Sequence, residues 1–475
     1  MFYPIRTIIT QDAEVDDQNS LRHILLYAND IEIQGIIQTS SIFHWKGQIG
    51  KIGPSEKPDY DKPHRWTGTK WMQRVMDDYA VDYKHLVTHD ANYPSPDYLR
   101  SLIQIGNIGY PGEMDASTPG SELIKERILD KDTRPLYIQV WGGTNTIARA
   151  LYDIEQDYKE DENWSSIKKK IENKVILTAC GEQDDTYQSY ISEVYPGIQF
   201  IKCVMMNSYG YGWNNMPDGA SKETLKADFM KKNILNKGAL MSGYATWSDD
   251  KYYEGEEDRS QFGTNKNLLI DWWGKKYGMG THIPYDFLSE GDSPTFFCLL
   301  PWGLRGLEDF SNGGLSGRYE KDDSKKNSKG ITLNYWNPVE DLYTDNHGKE
   351  IYTESMWYYV SSIQRDLAAR ASWCITDDKE EAPVLSIKES LDMKADKGTS
   401  VRIHISKEEN VLYKAKYYKE ASTYKGNVSV NIDDSIKINI PEDVKSGDIL
   451  HIIIEATNDY KHRLSRFKQI IIQIN

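Results

Sequence analysis

Short apolar runs alternate with helical periods from the start of the chain to about residue 205. Thr7-Ile-Ile-Thr10 reads as a strand. Asn19 to Asn29 then places apolar residues at 21, 24, 25 and 28, the 3.6-residue spacing of a helix packed on a sheet. Ile31 to Thr39 is the next strand, with Gly35 inside it. Pro135 to Val140 gives another, which breaks at Gly142-Gly143 and restarts as a helix from Thr144 to about Ile154. Lys174 to Thr178 and Gln199 to Val204 follow as strands. Strand, helix, strand in repetition predicts a mainly parallel sheet with helices on both faces.

The pattern is lost between 206 and 350, where Gly, Asn, Trp and Tyr crowd together and charged segments such as Glu254 to Arg259 interrupt. Long loops over a few helices are expected there, and such loops tend to carry binding residues. Tyr358 to Trp373 resumes a helical period. After the polar stretch Asp377-Asp378-Lys-Glu-Glu-Ala-Pro383 the text becomes alternating strands: 401–405, 428–432, 436–440, 449–455 and 467–474. Short, evenly spaced strands with turn signals between them read as an immunoglobulin-like β-sandwich. Two domains are expected, an α/β domain over 1–377 and a β-sandwich over 383–475.

Composition narrows the partners. The 475 residues carry Lys+Arg 57 against Asp+Glu 72, a net charge of -15, which repels phosphate backbones and anionic lipid. No apolar run approaches the roughly 18 residues that a bilayer needs. Neither a nucleic acid polymer nor a membrane is therefore an expected partner. Tyr 32 and Trp 13 outnumber Phe 10, and aromatics with a polar handle suit interfaces and sugar-binding faces alike. The four cysteines lie far apart with no CxxC pair, so neither a zinc knuckle nor a dense disulfide framework is encoded. No signal-peptide pattern opens the chain. The protein is expected to be periplasmic or secreted with its signal absent from this numbering, with the cytoplasm as the other reading.

The most informative stretch is Gln11-Asp12-Ala-Glu14-Val-Asp16-Asp17, directly after the first strand and before a helix. Three aspartates and a glutamate gathered there repel one another unless a cation or a protonation change relieves them. Hard divalent cations take oxygen ligands, which Asp12 and Asp17 supply from one turn. The plainer reading leaves Asp16 and Asp17 at a helix N-terminus, where negative charge is favoured, and Asp12 and Glu14 as solvated turn residues. No G-x-S-x-G motif is present, so serine nucleophile chemistry is not supported.

Asp12-x-x-x-Asp16-Asp17 after a strand resembles the core motif of the nucleoside hydrolases, with Thr10 in place of a further aspartate and Ala13-Glu14 in place of Pro-Gly. Five further segments, Thr39 to Trp45, Gly109 to Glu113, Thr118 to Leu123, Trp141 to Asn145 and Glu290 to Pro294, resemble a more specific family. These are bacterial cellulose-binding proteins with a nucleoside-hydrolase-like N-terminal domain. The segments Tyr413 to Gly426, Ile440 to Asp443 and Ile452 to Thr457 resemble that family's C-terminal domain.

The resemblance implies a nucleoside-hydrolase-like, Rossmann-like sheet and a Ca²⁺ cofactor. It implies metal ligation by Asp12, Asp17, the backbone carbonyl of Trp141 and Asp292, with Asp12 also taking a proton from the attacking water and Asp16 binding a sugar hydroxyl. His44, Trp45, Asn145, Glu290 and Trp302 are further candidates for substrate contact, and Arg305 for the opposite wall. His44 is either a structural histidine or a sugar contact or acid, and Trp45, Trp66 and Trp71 are either core or lid aromatics or sugar platforms. Departures from the motif also matter. The segment that grips the ribose in the family has no counterpart after Leu177, and the position of its leaving-group histidine falls on Gly291.

Two functions are expected. The first is a Ca²⁺-dependent hydrolase of an N- or O-glycosidic bond of a furanose-like sugar, with a carbohydrate or glycoside as its partner. The alternative is a non-catalytic protein that binds a cellulose-type glycan. The sandwich would be either a glycan-binding module or an appendage that caps the first domain or supports a homo-oligomer.

Overall fold

Runs of isoleucine and valine with buried threonines build a sheet that is covered on both sides. The computed structural model describes residues 4–53, 59–256, 282–345 and 347–475. Strands β1 (Ile5–Gln11), β2 (Ile31–Gln38), β3 (Ile103–Ile105), β4 (Leu136–Val140), β5 (Val175–Ala179), β6 (Gln199–Lys202), β7 (Tyr319–Lys321) and β8 (Tyr335–Pro338) join in the order β3-β2-β1-β4-β5-β6-β8-β7. Every neighbouring pair is parallel except β7 with β8. Thr10 pairs with Ile37 on one side and with Val140 on the other. Ile8 and Ile9 alternate between the two faces, Ile9 joining the core that contains Leu25 and Met72 and Ile8 the core that contains Ile138 and Leu151.

The chain leaves β1 toward β2 on one side and β4 toward β5 on the other. The connections that follow β1 and β4 therefore run to opposite sides, which leaves a crevice outside their carboxyl ends, the place where open α/β sheets bind ligands. Glycines let the ends approach. A Cβ at Gly142 would lie 2.8 Å from the Asp12 Cβ, and one at Gly143 would lie 2.4 Å from the Ser40 carbonyl oxygen.

Helix α1 (Val15–Leu25) begins before the expected Asn19, because its first turn buries Asp16, Asp17 and Asn19 and so shows no apolar period. Helix α2 (Trp71–His89) lies outside the sequence expectation and buries Trp71, Met72, Val75, Met76 and Tyr79. α3 (Pro119–Leu129) opens on a capping box between Thr118 and Ser121. α4 (Asn145–Tyr158) follows β4, α5 (Trp164–Lys174) leads into β5, and α6 (Trp357–Trp373) is buried along most of its length. The expectation of loops over a few helices for 206–350 is corrected at its end. β7 and β8 close the main sheet, and β9 (Glu340–Thr344) pairs with β10 (Glu350–Glu354) as a hairpin.

The C-terminal strands form two sheets, with β11 (Asp392–Ala395), β17 (Ser465–Ile474), β16 (Ile449–Asn458) and β13 (Val411–Tyr417) in one and β12 (Ser400–Ile403), β15 (Ile436–Asn439) and β14 (Ser429–Ile432) in the other. Ile452, Ile454, Ile470 and Ile472 meet Ile403, Ile436 and Ile438 in the sandwich core. Alternation turns Ile453 and Phe467 the other way, into the core of the first domain. Polar ties fasten the same face. Gln469 Nε2 donates to the Asn312 carbonyl at 2.8 Å, and Arg466 Nη1 donates to Asp366 at 2.8 Å. Asp366 in turn accepts from Tyr27 OH at 2.7 Å and from Arg370 Nε at 3.1 Å. Among the described residues no helix is long and apolar enough to cross a membrane.

Candidate functional site

The end of β1 and the first turn of α1 bring the acidic cluster into the switch-point crevice. Ala13 makes the turn with φ at 75°, a left-handed conformation that costs a non-glycine residue energy. Its carbonyl accepts from Thr67 Oγ1 at 3.1 Å, which holds the turn. The Asp12 amide donates to Asp17 Oδ1 at 3.2 Å. Asp292 arrives from the far end of the domain, two residues before a short helix, and its carbonyl accepts from Thr295.

Burial dominates the electrostatics. Asp12 is wholly enclosed, and Asp16, Asp17 and Asp292 nearly so. Carboxylate oxygens of Asp16, Asp17 and Asp292 lie within 4.8 Å of one another, as do those of Asp12, Glu14 and Asp17. Burial, reinforced by Asp292, Asp12 and Asp16, pushes the Asp17 carboxyl well up. Burial and the neighbouring aspartates do the same to Asp292. Asp16 is pushed up to about 6, chiefly by burial and against a hydrogen bond from Ser289 Oγ at 3.0 Å. Asp12 is raised by burial and eased by His44. Both Asp12 carboxylate oxygens and Asp16 Oδ1 are buried without a well-formed hydrogen bond. Solvated turn residues would be none of these things, so the plainer reading of Asp12 fails on burial.

His44 is buried beside this cluster, with Nε2 2.9 Å from Glu256 Oε1 and 3.7 Å from Glu14 Oε1. Arg65 Nη1 reaches the other oxygen of Glu256 at 3.3 Å. Cys180 lies at the end of β5 next to Asp292 and Asp16. Glu256, Ser289 and Cys180 were not singled out from the sequence. For Glu256 the only signal was the charged segment Glu254 to Arg259, whose last three residues lie outside the described ones.

The structure brings together Asp12, Asp16, Asp17, Asp292 and His44 and engages five other candidates elsewhere. Trp45 stacks on His64 at 4.4 Å and donates through Nε1 to the Lys62 carbonyl, so a packed loop already uses its ring. Asn145 spends its amide on Ser40 Oγ and on the Asn107 and Glu113 carbonyls, tying three loops together. Glu290 is wholly buried, with His23 Nδ1 at 2.7 Å and with Tyr244 and Ser293 hydroxyls donating to it. Trp302 stacks against Phe467 and lies 4.9 Å beneath the Arg466 guanidinium, in the joint between the domains. Arg305 pairs there with Asp392 at 2.8 Å. The Trp141 carbonyl accepts from Gln183 Nε2 at 2.6 Å, and its indole N–H donates to Thr295 Oγ1.

Comparison with curated proteins returns no match. Among solved structures the chain is similar to a nucleoside hydrolase-related hypothetical protein from Saccharophagus degradans that is associated with carbohydrate metabolism. That likeness covers 100% of both chains at 21% identity and a TM-score of 0.71, which shows the fold. The effector protein XOO4466 is matched over 79% of this chain and 95% of its own at 10% identity and a TM-score of 0.33, too low to bear on the fold. Residues 387–474 match the model for the C-terminal domain of cellulose-binding protein Sde0182. Residues 6–319, most of the chain, match the model for the nucleoside hydrolase-like domain of cellulose-binding Sde182, and the chain belongs to that family.

Proposed function

We propose that the acidic crevice holds a divalent cation, Ca²⁺, and hydrolyses a glycosidic bond, N- or O-linked, of a furanose-like sugar. One observation carries the reading: buried, mutually repelling carboxylates converge at a sheet switch point, and neither oxygen of Asp12 makes a well-formed hydrogen bond, the Ser41 hydroxyl easing its charge only in part. A donor set of oxygens alone suits a hard cation, with Asp12, Asp17 and Asp292 as its holders; the Trp141 carbonyl, already accepting from Gln183, would be the further ligand that the resemblance implies. When bound, the cation would lower the pKa of a water molecule and offset the clustered negative charge.

The chain's own residues would do the rest. Asp12 would accept a proton from the attacking water. Asp16, fixed by Ser289, accepts a hydrogen bond from a sugar hydroxyl. Positive charge developing at the anomeric carbon is favoured by the surrounding carboxylates. His44, held by Glu256, contacts the sugar or protonates the leaving group. A panel of nucleosides and of aryl furanosides and pyranosides, assayed with Ca²⁺ and with chelator, tests this. Turnover of at least one substrate only with Ca²⁺ supports it, and none with any substrate removes it.

The second reading, carbohydrate retention without turnover, is favoured by the description of the family as cellulose-binding. Retention on cellulose that survives Asp12→Asn and chelator separates it from the first.

A further inference from the structure

The segment that follows β5 is where the sequence departs from the nucleoside hydrolase motif, and the structure gives its polar side chains partners within the protein. Glu182 accepts from the Tyr335 hydroxyl at 2.8 Å, and Asp184 accepts from the Asn145 amide and the Thr144 hydroxyl, each at 3.0 Å. Gln183 stands between them, 8% exposed. Its Nε2 donates to the Trp141 carbonyl at 2.6 Å and to the Cys180 carbonyl at 3.2 Å. Two carbonyl acceptors require the nitrogen of that amide, not its oxygen, to face them. One side chain thus bridges the carboxyl ends of β4 and β5. The Gln183 carbonyl also accepts from the Ile42 amide at 2.8 Å, which fastens the loop that leads to His44.

The Trp141 peptide lies against the acidic cluster. A Cβ at Gly142 would lie 3.1 Å from the Asp12 carboxyl carbon. The Trp141 amide donates to the Thr10 carbonyl and the Gly143 amide to the Ser40 carbonyl, both at 2.9 Å, so the backbone is anchored on either side of the Trp141 carbonyl. The donor that reaches the carbonyl oxygen itself is Gln183. A carbonyl oxygen carries two lone pairs, so this bond engages one and leaves one for a further partner. An outer hydrogen bond of this kind orients a ligand atom, and losing it typically weakens metal binding about 10–100-fold.

We infer that Gln183 is a positioning residue of the cation site, setting the direction of the Trp141 carbonyl beside Asp12. The inference rests on the reading of the crevice as a cation site and adds a side chain that does not touch the ion. A purely structural Gln183 would hold β4 to β5 and leave the ion's ligand shell unchanged.

Terbium(III), a luminescent and oxygen-seeking substitute for Ca²⁺, reads that shell without any turnover. Emission lifetimes in light and heavy water count the water molecules left on the bound ion. Gln183→Met keeps the length of the side chain and removes the donor. In the full chain it should raise the count by about one water and weaken Tb³⁺ binding about tenfold or more. Gln183→Asn keeps the amide but withdraws it by one methylene; it should shift both readings the same way, and it serves if the Met variant does not fold. Folded variants whose bound Tb³⁺ keeps the parent's water count and affinity overturn the inference, whatever their melting temperatures. A parent that binds no Tb³⁺ overturns the cation reading itself, and this inference with it.

Discussion

The backbone amide of Asp12 donates to the carboxylate of Asp17 across 3.2 Å, joining the end of β1 to the first turn of α1. That bond gathers like charges which burial then keeps apart from water. Holding them costs the fold stability, which the proposed cation would offset.

Asp17→Asn keeps an acceptor for that amide and removes one of the repelling charges. In chelator the variant should therefore be more stable than the parent by roughly 1–3 kcal/mol. In saturating Ca²⁺ the order should reverse, because only the parent keeps its full ligand set. Thermal melts of both proteins in the two buffers check this, and a variant less stable than the parent in chelator would sink the electrostatic account.

Trp302→Ala tests where that indole acts. Its ring fills the joint against Phe467 and Arg466, so truncation should cost about 3–5 kcal/mol. At a temperature where the variant stays folded, Ca²⁺ affinity should match the parent. A folded variant of unchanged stability but altered ligand affinity would return Trp302 to the site.

The joint also carries a pH dependence. His451 lies 3.0 Å from Gln469 Nε2, and burial, aided by the Arg305 charge, pushes its pKa down to about 4. Between its ordinary value and 4 the unfolded chain binds a proton that the native protein refuses. The contribution is full above about pH 6.5, falls as pH drops toward 4, and amounts to about 3 kcal/mol. Chemical denaturation of the parent and of His451→Gln across that window should show the parent losing more stability on acidification. Parallel losses would contradict the assignment.

The parallel sheet was legible because Ile31 to Thr39 and Pro135 to Val140 are apolar runs bounded by turn signals. The metal-type cluster was legible because Asp12, Asp16 and Asp17 are local in sequence. β7 and β8 were not, since three- and four-residue strands with Glu320 and Asn337 in them show no period. The sandwich was read from β12 and β14 to β17, while β11 (DMKA) and β13 (VLYKAKY) were missed because lysines and half-exposed positions blur their apolar alternation. The roles of Asn145, Glu290 and Trp302 depend on partners such as Ser40, His23 and Phe467, many positions away. Residue type gave their polarity or size, and only packing decided that the two polar side chains face the interior and the indole faces the second domain.

Calcium titration of chelator-stripped protein, read by calorimetry and repeated on Asp12→Asn, tests the central claim most directly. The account predicts one Ca²⁺ bound per chain, stabilisation of about 3 kcal/mol at a hundredfold excess over Kd, and loss of both in the variant. A folded parent that binds no Ca²⁺, or an Asp12→Asn variant that binds it as the parent does, would contradict it.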